Sequence, residues 1–310
     1  MTYAFDPELA PVIPSLDLGD FTDVAAARAM LESMLAGINA NVDTSGLTID
    51  DRTIDGPDGT DLSVRVLRPT SAPGPLPAVL HIHGGGFAVG SVNSELGGCV
   101  QLASRLPAVV VSVEYRLAPE FPFPAGIEDC YAALCWLHSQ VDTLGVDPKR
   151  VAVSGGSAGG GMAAGLALMA RDRGGPSLCF QFLGIPELDD RLETVSMQQF
   201  VDTPMWNRPS AIQSWKHYLG DAPGPVSPYA APARAENLAG LPPAFVSTME
   251  FDPLRDEGII YALRMLQAGV SVELHQYPGT FHGSAMVITA AVSKRQSAET
   301  VEVMKRALYR

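Results

Sequence analysis

The sequence lacks the features that mark exported, membrane-spanning and nucleic-acid-binding proteins. Its first residues carry neither the basic region nor the apolar core of a signal peptide, so we expect no export signal. No uninterrupted apolar run reaches the length needed to span a bilayer. Basic residues are few, 21 against 34 acidic ones, and the net charge of −13 argues against nucleic acid or an anionic membrane surface as a partner. The expected location is the cytoplasm.

Cysteine is also scarce, and its spacing does not indicate a metal site. The four cysteines show no paired ligand spacing, and two of them, five positions apart, fall on different sides of a helix. They are Cys99, Cys130, Cys135 and Cys179. We expect reduced thiols. Internal repeats and low-complexity tracts are absent, and the 46% hydrophobic content predicts a large core.

What the sequence does contain is a serine between glycines at a junction of strand and helix. The β-favouring run Val151–Ser154 leads into Gly155-x-Ser157-x-Gly159, and a helix-forming run, Met162–Arg173, follows. Such a turn is a nucleophile elbow, which strains the backbone at the serine and lifts its hydroxyl above the sheet. The positions two before and two after the serine must be glycine, because a Cβ there would collide with the neighbouring strand or helix. The pattern predicts that Ser157 is a nucleophile.

A second glycine motif lies upstream, at the end of another apolar strand. Ala78–Ile82 runs through His83 into the consecutive glycines Gly84–Gly86. Acyl transfer needs bare backbone N–H groups where a tetrahedral oxyanion develops, and such a loop exposes them. Alone, the three glycines could simply form a flexible loop. Their occurrence together with the nucleophile elbow favours the oxyanion interpretation instead. We interpret His83 as a scaffold that holds the loop, and His81 as a structural residue.

The general base is sought downstream of the serine, in the order serine, acid, histidine. His282 lies in a suitable turn just past the predicted strand Val270–Tyr277. His275 lies inside that strand, and His217 and His138 have surroundings typical of surface or packing residues. His282 is therefore the predicted base.

The acid is expected where a buried strand ends, since functional groups in open α/β sheets collect at the carboxyl ends of strands. Asp252 leaves the end of the predicted strand Pro243–Met249. Asp256 and Glu257 fall in the first turn of the next helix, where a carboxylate simply favours the helix dipole. Asp252 is therefore the predicted orienting acid.

Together these motifs resemble the hormone-sensitive-lipase-like family of α/β-hydrolase esterases. The resemblance covers the chain from about residue 45 onwards and rests on specific motifs. They are His83–Gly86, Tyr115–Glu120, Ser157 in its elbow, Asp252–Gly258 and Phe281–Gly283.

The resemblance implies both a fold and a reaction. The fold is the α/β-hydrolase fold, a mostly parallel central sheet with helices on both faces and a helical cap. The reaction is hydrolysis of carboxylic esters with short to medium acyl chains, with Ser157 as nucleophile, His282 as base and Asp252 as orienter. The implied oxyanion donors are the N–H groups of Gly85, Gly86 and Ala158. No metal and no organic cofactor is required.

One position departs from the family pattern. The family usually carries Asp, or in one branch Thr, immediately before the serine, and this chain has Gly156. A side chain there can tie the elbow to neighbouring loops. Its absence leaves the subfamily and the stiffness of the turn open, without removing any of the three predicted reacting groups.

Alternating strands and helices predict one α/β domain with an added cap. Residues 46–187 and 226–310 form the predicted catalytic domain, residues 1–45 the N-terminal part of the cap, and 188–225 a cap insertion. The insertion is rich in Met and aromatic residues, which suits a lid that packs on an acyl group. An ordinary pair of packed helices is the alternative.

Two local predictions concern the first part of the chain. Asp20 or Thr22 can cap a helix over Val24–Ile38. Leu47–Thr53 and Leu62–Leu67 are expected to form a hairpin.

Other functions remain open at this point. The same groups could act on an amide or an activated acyl group, as in a deacetylase, amidase or acyltransferase. A receptor that has lost catalysis is more remote, because such a protein should lack one of the three reacting residues. The expected partner is a small-molecule ester substrate, with no nucleic acid and no membrane, and a homodimer is left open.

Overall fold

The computed structural model describes residues 3–16, 21–221 and 224–309. The strands are β1 (Leu47–Asp55), β2 (Asp61–Pro69), β3 (Leu76–Ile82), β4 (Val109–Glu114), β5 (Val146–Gly156), β6 (Phe180–Gly184), β7 (Ala244–Phe251) and β8 (Val272–Phe281). The helices are α1 (Val24–Asn39), α2 (Leu96–Arg105), α3 (Ala125–Ser139), α4 (Val141–Leu144), α5 (Ala158–Asp172), α6 (Val195–Gln199), α7 (Arg208–Leu219), α8 (Arg255–Gln267) and α9 (Ala291–Leu308). Short 3₁₀ segments cover Ala10–Ser15, Pro57–Gly59, Pro232–Arg234 and Ser284–Met286.

The strands form one sheet in the order β1-β2-β4-β3-β5-β6-β7-β8. β1 pairs antiparallel with β2, and β2 pairs antiparallel with β4, while the pairs from β4 to β8 are parallel. The predicted hairpin and the mostly parallel central sheet are confirmed. Every residue of β3 is buried, as expected of a strand covered on both faces.

Alternate residues of the central strands enter two separate cores. Leu80, with its neighbours on the same face, packs against α3, α5 and α8. Val79, one residue earlier, points to the opposite face and packs against α2 and α9. This alternation is the two-residue period of a strand, and it explains why the runs are apolar without interruption. The prediction of helices on both faces is confirmed.

The N-terminal helix is held against the loop that follows β4. Asp23 Oδ1 accepts the Ala26 N–H at 3.0 Å, so Asp23 caps the first turn of α1. Asp20, one of the two residues predicted for that role, lies outside the described residues. Arg28 forms a two-bond ion pair with Glu120, both contacts at 2.8 Å, and so ties α1 to that loop.

The last strand differs from its prediction. The sequence Pro278-Gly279 predicts a turn after Tyr277, but β8 continues through it to Phe281, which pairs with Phe251 of β7. A register shift between Met249 and Phe251 accommodates this irregular stretch, and Gly279 has φ 73°. His282 therefore follows directly on the end of a strand.

The predicted insertion, residues 188–225, contains α6 and α7. Its Met and aromatic side chains are largely buried, and Tyr218 of α7 stacks on Phe87 with ring centroids 3.9 Å apart. α7 thus packs directly on the glycine-rich loop after β3. A movement of this segment as a lid stays a prediction. In the part of the chain that the structure describes, no helix has the length and apolar character to cross a membrane.

Candidate active site

Ser157 lies at the turn where β5 runs into α5. Its φ of 57° and ψ of −124° place a non-glycine residue in a sparsely populated conformation. A Cβ on Gly155 would lie 2.2 Å from Gly159 O, and one on Gly159 would lie 2.2 Å from Ile82 O. The strained serine and the need for glycine on both sides are therefore confirmed.

The structure brings the three predicted reacting side chains into one hydrogen-bonded chain. Ser157 Oγ lies 2.9 Å from His282 Nε2, and His282 Nδ1 lies 2.7 Å from Asp252 Oδ2. The other carboxylate oxygen of Asp252 accepts the Leu254 N–H at 2.9 Å. Both His282 and Asp252 are buried. With its Nδ1 proton donated to the carboxylate, the imidazole presents Nε2 as an acceptor for the serine hydroxyl proton.

The three side chains meet because their strands end at the same edge of the sheet. Ser157 follows β5, Asp252 follows β7 and His282 follows β8, and these parallel strands all point the same way. The carboxyl edge of a parallel sheet is where functional groups converge in open α/β folds.

The glycine loop after β3 lies against the elbow. A Cβ on Gly84 would come within 3.5 Å of Ser157 Cβ, and Gly85 and Gly86 have φ of 120° and 53°. Ala158 is the first residue of α5, so its N–H has no acceptor within that helix. The predicted donors Gly85 and Gly86 thus belong to a loop that approaches Ser157 through Gly84, and Ala158 follows the serine directly.

His83 sits beneath this loop and is fully buried. Its Nδ1 lies 2.8 Å from Gly84 O, and its ring stacks on Tyr115 at 4.2 Å between centroids. Burial lowers the pKa of His83 to about 4, so the ring is neutral near pH 7 and its Nδ1–H donates to the Gly84 carbonyl. His81 Nδ1 contacts Ser154 Oγ at 2.8 Å. These contacts are those of a scaffold that supports the loop.

Aromatic side chains close over the loop. A Cβ on Gly86 would lie 2.7 Å from a ring carbon of Phe21 and 2.7 Å from one of Trp206. The Trp206 ring is also 5.8 Å from the His282 ring, between centroids. Trp206 therefore lies between the glycine loop and His282. The Met- and aromatic-rich composition of 188–225 is the sequence signal that indicated such a residue.

The other acidic and histidine candidates lie elsewhere. Asp256 Oδ2 accepts the Ser196 N–H at 2.7 Å, and Glu257 Oε1 accepts the Leu188 N–H at 2.5 Å. His275 lies 3.2 Å from a carboxylate oxygen of Glu299. Of the remaining histidines, His217 contacts the backbone of Phe21, and His138 is on α3.

Sequence reasoning missed one residue at this edge of the sheet. Glu187 is fully buried and its backbone N–H donates to Ser157 O at 3.1 Å. Burial raises the pKa of Glu187 to about 8, and the charge of Asp252 adds to the rise. The available signal was its position, just after β6 and close to the carboxyl edge of the sheet.

Residues 79–286 match the family described as alpha/beta hydrolase fold. The chain is 42% identical over 276 residues to carboxylesterase NlhH of Mycobacterium tuberculosis (strain CDC 1551 / Oshkosh), covering 85% of this chain and 84% of that protein. It is 33% identical over 261 residues to ethyl acetate hydrolase of Pseudomonas putida, covering 83% of this chain and 81% of the relative.

A solved structure is closer still. The chain superimposes on a bacterial heroin esterase with a TM-score of 0.97 and 54% identity, covering 99% of both chains. The fold and the site thus define an α/β hydrolase, and the chain belongs to the alpha/beta-hydrolase-fold family. Within it, the predicted kinship with the hormone-sensitive-lipase-like carboxylesterases is confirmed, and so is the prediction that the chain is an enzyme of that type.

Proposed function

We propose that the protein hydrolyses carboxylic esters with short to medium acyl chains through an acyl-enzyme on Ser157. The observation that carries this proposal is the hydrogen-bonded chain from Ser157 through His282 to Asp252, set beside a glycine loop. The proposed setting is the cytoplasm, with a small-molecule ester as substrate and without nucleic acid, membrane, metal or cofactor. A homodimer remains open.

Acylation begins with transfer of the Ser157 hydroxyl proton to His282. Ser157 Oγ attacks the ester carbonyl while His282 Nε2, 2.9 Å away, takes its proton. The imidazolium that forms is stabilised by the Asp252 carboxylate at 2.7 Å, which also holds the ring in the correct tautomer. Because both partners are buried, this charge interaction is only weakly screened.

The attack places a negative charge on the former carbonyl oxygen. We assign its stabilisation to the N–H groups of Gly85, Gly86 and Ala158, each contributing on the order of 3 kcal/mol to the transition state. The first two belong to the loop that contacts Ser157, and the third begins the helix behind it. The positive end of the α5 dipole adds to the same effect.

The intermediate collapses when His282 returns its proton to the leaving alcohol, which departs and leaves the acyl group on Ser157. Water then enters, loses a proton to His282 and attacks the acyl carbon. The second oxyanion is held by the same donors, and the acid is released as Ser157 regains its proton.

The limit on acyl length is inferred from the side chains around the site. Phe21 and Trp206 contact the glycine loop, and Met205 lies close to Gly283, with its methyl carbon 3.6 Å from where a Cβ would be. A pocket bounded by such groups favours each added methylene until it is full. The name of the Pseudomonas putida relative, an ethyl acetate hydrolase, supports small acyl groups.

The test is a series of p-nitrophenyl esters of increasing acyl length, assayed beside the matched p-nitroanilide. We expect ester turnover to exceed anilide turnover by at least roughly a hundredfold, because an amine is a poor leaving group and depends far more on a well-placed proton donor than a phenolate does. Comparable rates on the two substrates would favour an amidase or deacetylase. Absence of turnover on every ester, with intact Ser157, would favour the receptor alternative.

A further inference from the structure

Arg28 of α1 binds the backbone just beyond the glycine loop. Its Nε donates to Ala88 O at 2.8 Å, and its Nη2 donates to Ala118 O at 3.0 Å. The same guanidinium forms the ion pair with Glu120, both contacts at 2.8 Å. Ala88 and Ala118 are buried, so their carbonyls cannot simply turn to water when this donor is removed. One side chain of α1 thus joins the loop after β3 to the loop after β4.

Ala88 belongs to a turn that begins in the glycine loop. The N–H groups of Ala88 and Val89 both donate to Gly85 O, at 3.1 and 3.0 Å. The Gly85 carbonyl and the Gly86 N–H belong to one planar trans peptide, in which they point in opposite directions. The two groups that hold the Gly85 carbonyl therefore also set the direction of the Gly86 N–H, one of the proposed oxyanion donors.

The backbone of this turn is strained and depends on contacts from outside. Gly85, Gly86 and Phe87 follow one another with φ of 120°, 53° and 60°, and the last value is uncommon for a bulky residue. Such a conformation persists only where the surrounding structure holds it. Phe87 O accepts the Ala118 N–H at 3.0 Å, and Arg28 binds the carbonyls on both sides of this contact.

The segment that carries Arg28 packs on the same loop through apolar side chains. Phe21, just before α1, has a ring carbon 2.7 Å from where a Cβ on Gly86 would be. The buried apolar residues that share one cluster here include Val24, Ala27, Ala88, Val89 and Trp206. Apolar contacts have no preferred direction, whereas a hydrogen bond fixes its acceptor in both distance and angle. The Arg28 guanidinium therefore supplies the directional part of this contact.

We propose that Arg28 is a positioning residue: by holding the Ala88 carbonyl from α1, it keeps the turn closed on Gly85 O and the Gly86 N–H aimed at the oxyanion. This assignment rests on the proposed esterase function and adds a residue to its site. Arg28 does not touch the reacting atoms. It makes the binding of the oxyanion depend on the placement of the N-terminal helix.

A trifluoromethyl ketone with a butyl chain probes oxyanion binding separately from substrate binding. Ser157 Oγ adds to its carbonyl carbon, the electron pair of the C=O bond moves to the oxygen, and the serine proton passes to His282. No group leaves, so the hemiketal oxyanion stays where the oxyanion of the reaction forms. The inhibition constant Ki of this ketone therefore reports the aim of the loop N–H groups.

The experiment compares kcat and KM on p-nitrophenyl butyrate with Ki in the wild type and in Arg28→Met, whose side chain keeps the bulk but donates no hydrogen bond. We expect kcat to fall and Ki to rise, each about tenfold, because a donor that is misaimed loses part of its effect. KM should stay within about twofold, since ground-state binding is not altered. Melting temperatures establish that the variant is folded.

Glu120→Gln separates the ion pair from the carbonyl contacts. It removes the charge partner and leaves the Arg28 bonds to Ala88 O and Ala118 O in place, so kcat and Ki should stay within about twofold of wild type. Arg173→Met is the second control. It removes a two-bond ion pair with Glu128 just beyond the end of α5 that is remote from Ser157, and should leave both constants within about twofold.

Arg28→Lys keeps the test decisive if Arg28→Met does not fold. The ammonium keeps the charge beside Glu120 but replaces the planar fork by a single compact donor group, so kcat should fall and Ki rise about threefold.

Wild-type kcat and Ki in the folded Arg28 variants would overturn the positioning role alone, and so would equal losses in Glu120→Gln and Arg28→Met, which would assign the effect to the ion pair. A wild-type protein that hydrolyses no ester would overturn the proposed function, and this role with it.

Discussion

The ring of Trp206 leaves no room for a side chain on Gly86: a Cβ there would lie 2.7 Å from the ring carbon Cη2. Phe21 approaches the same position equally closely from the N-terminal part of the chain. Two segments far apart in sequence therefore close over the loop proposed to bind the oxyanion. We therefore expect an acyl chain bound beside this loop to meet rigid aromatic rings.

We expect kcat/KM to rise over the first few acyl carbons, peak at about four to eight and then collapse, because each buried methylene contributes roughly 0.8 kcal/mol until the chain meets a wall. The measurement is the p-nitrophenyl ester series extended to C16, with a tributyrin titration through its solubility limit. Trp206→Ala, which removes one wall, should shift the optimum to longer chains. A wild-type maximum at C12 or beyond, or a rate jump when droplets form, would indicate a true lipase.

Ser157→Ala should leave a folded protein whose ester hydrolysis is lowered by roughly a thousandfold or more. The variant loses the attacking oxygen but keeps the glycine loop and the His282–Asp252 pair. A phosphonate ester should label the wild type at Ser157, as shown by mass spectrometry of the peptides. Labelling at another serine, or a variant that keeps most of its activity, would refute the assignment.

Asp252→Asn should reduce turnover by roughly four orders of magnitude, because an amide cannot hold the imidazole tautomer or stabilise its cation. Asp256→Asn is the matched control, four positions along the chain. Its carboxylate accepts the Ser196 N–H and contacts Arg255, so we expect a loss of roughly 1 kcal/mol in stability and near-normal turnover. The opposite order of the two activities would contradict the choice of acid.

Gly156→Asp should raise the melting temperature and retain turnover. The backbone at Gly156 is not left-handed, and among the described residues no atom beyond its two chain neighbours lies within 4 Å of an added Cβ. A side chain there reduces the freedom of the unfolded chain, worth roughly 0.4 to 1 kcal/mol. Gly155→Ala is the control and should melt lower, since its Cβ meets Gly159 O at 2.2 Å. A Gly156→Asp protein that melts below wild type would show that the carboxylate finds no favourable surroundings.

Glu187→Gln should stabilise the protein increasingly as the pH rises from 5 to 8. The pKa of Glu187 is about 8 in the folded protein, against an ordinary value of 4.5. Between these values the folded state keeps a proton that the unfolded state has released, so the stability present below pH 4.5 is lost as the pH approaches 8. Melting temperatures of variant and wild type, measured across this range, should diverge. A constant difference would show that Glu187 does not titrate there.

Much of the fold was predictable because its signals are local. Continuous apolar runs predicted the central strands. The glycines two positions to either side of Ser157 are required because a Cβ on either one would lie 2.2 Å from a backbone oxygen. The three predicted reacting residues could be chosen because Ser157 and Asp252 stand at predicted strand ends and His282 stands in a turn just past one. Their meeting, at 2.9 Å and 2.7 Å, follows from the parallel sheet.

What could not be predicted depends on contacts between distant segments. Ser214 and Gly86 are 128 positions apart, and nothing in either neighbourhood indicates their hydrogen bond. Glu187 is one of 34 acidic residues, and only tertiary packing decides that it is buried. The Pro278-Gly279 pair is typical of a turn, but pairing with β7 keeps this stretch in the strand.

The place of β8 at the edge of the sheet has a consequence for how activity appears during folding. His282 follows this strand and meets a serine 125 positions earlier in the chain. Every intervening crossover must therefore be in place before base and nucleophile can touch, and such non-local pairing is slow. If His282 is the base, a refolding chain gains turnover only after β8 has docked beside β7. We therefore expect the regain of turnover during refolding to report the docking of this edge strand.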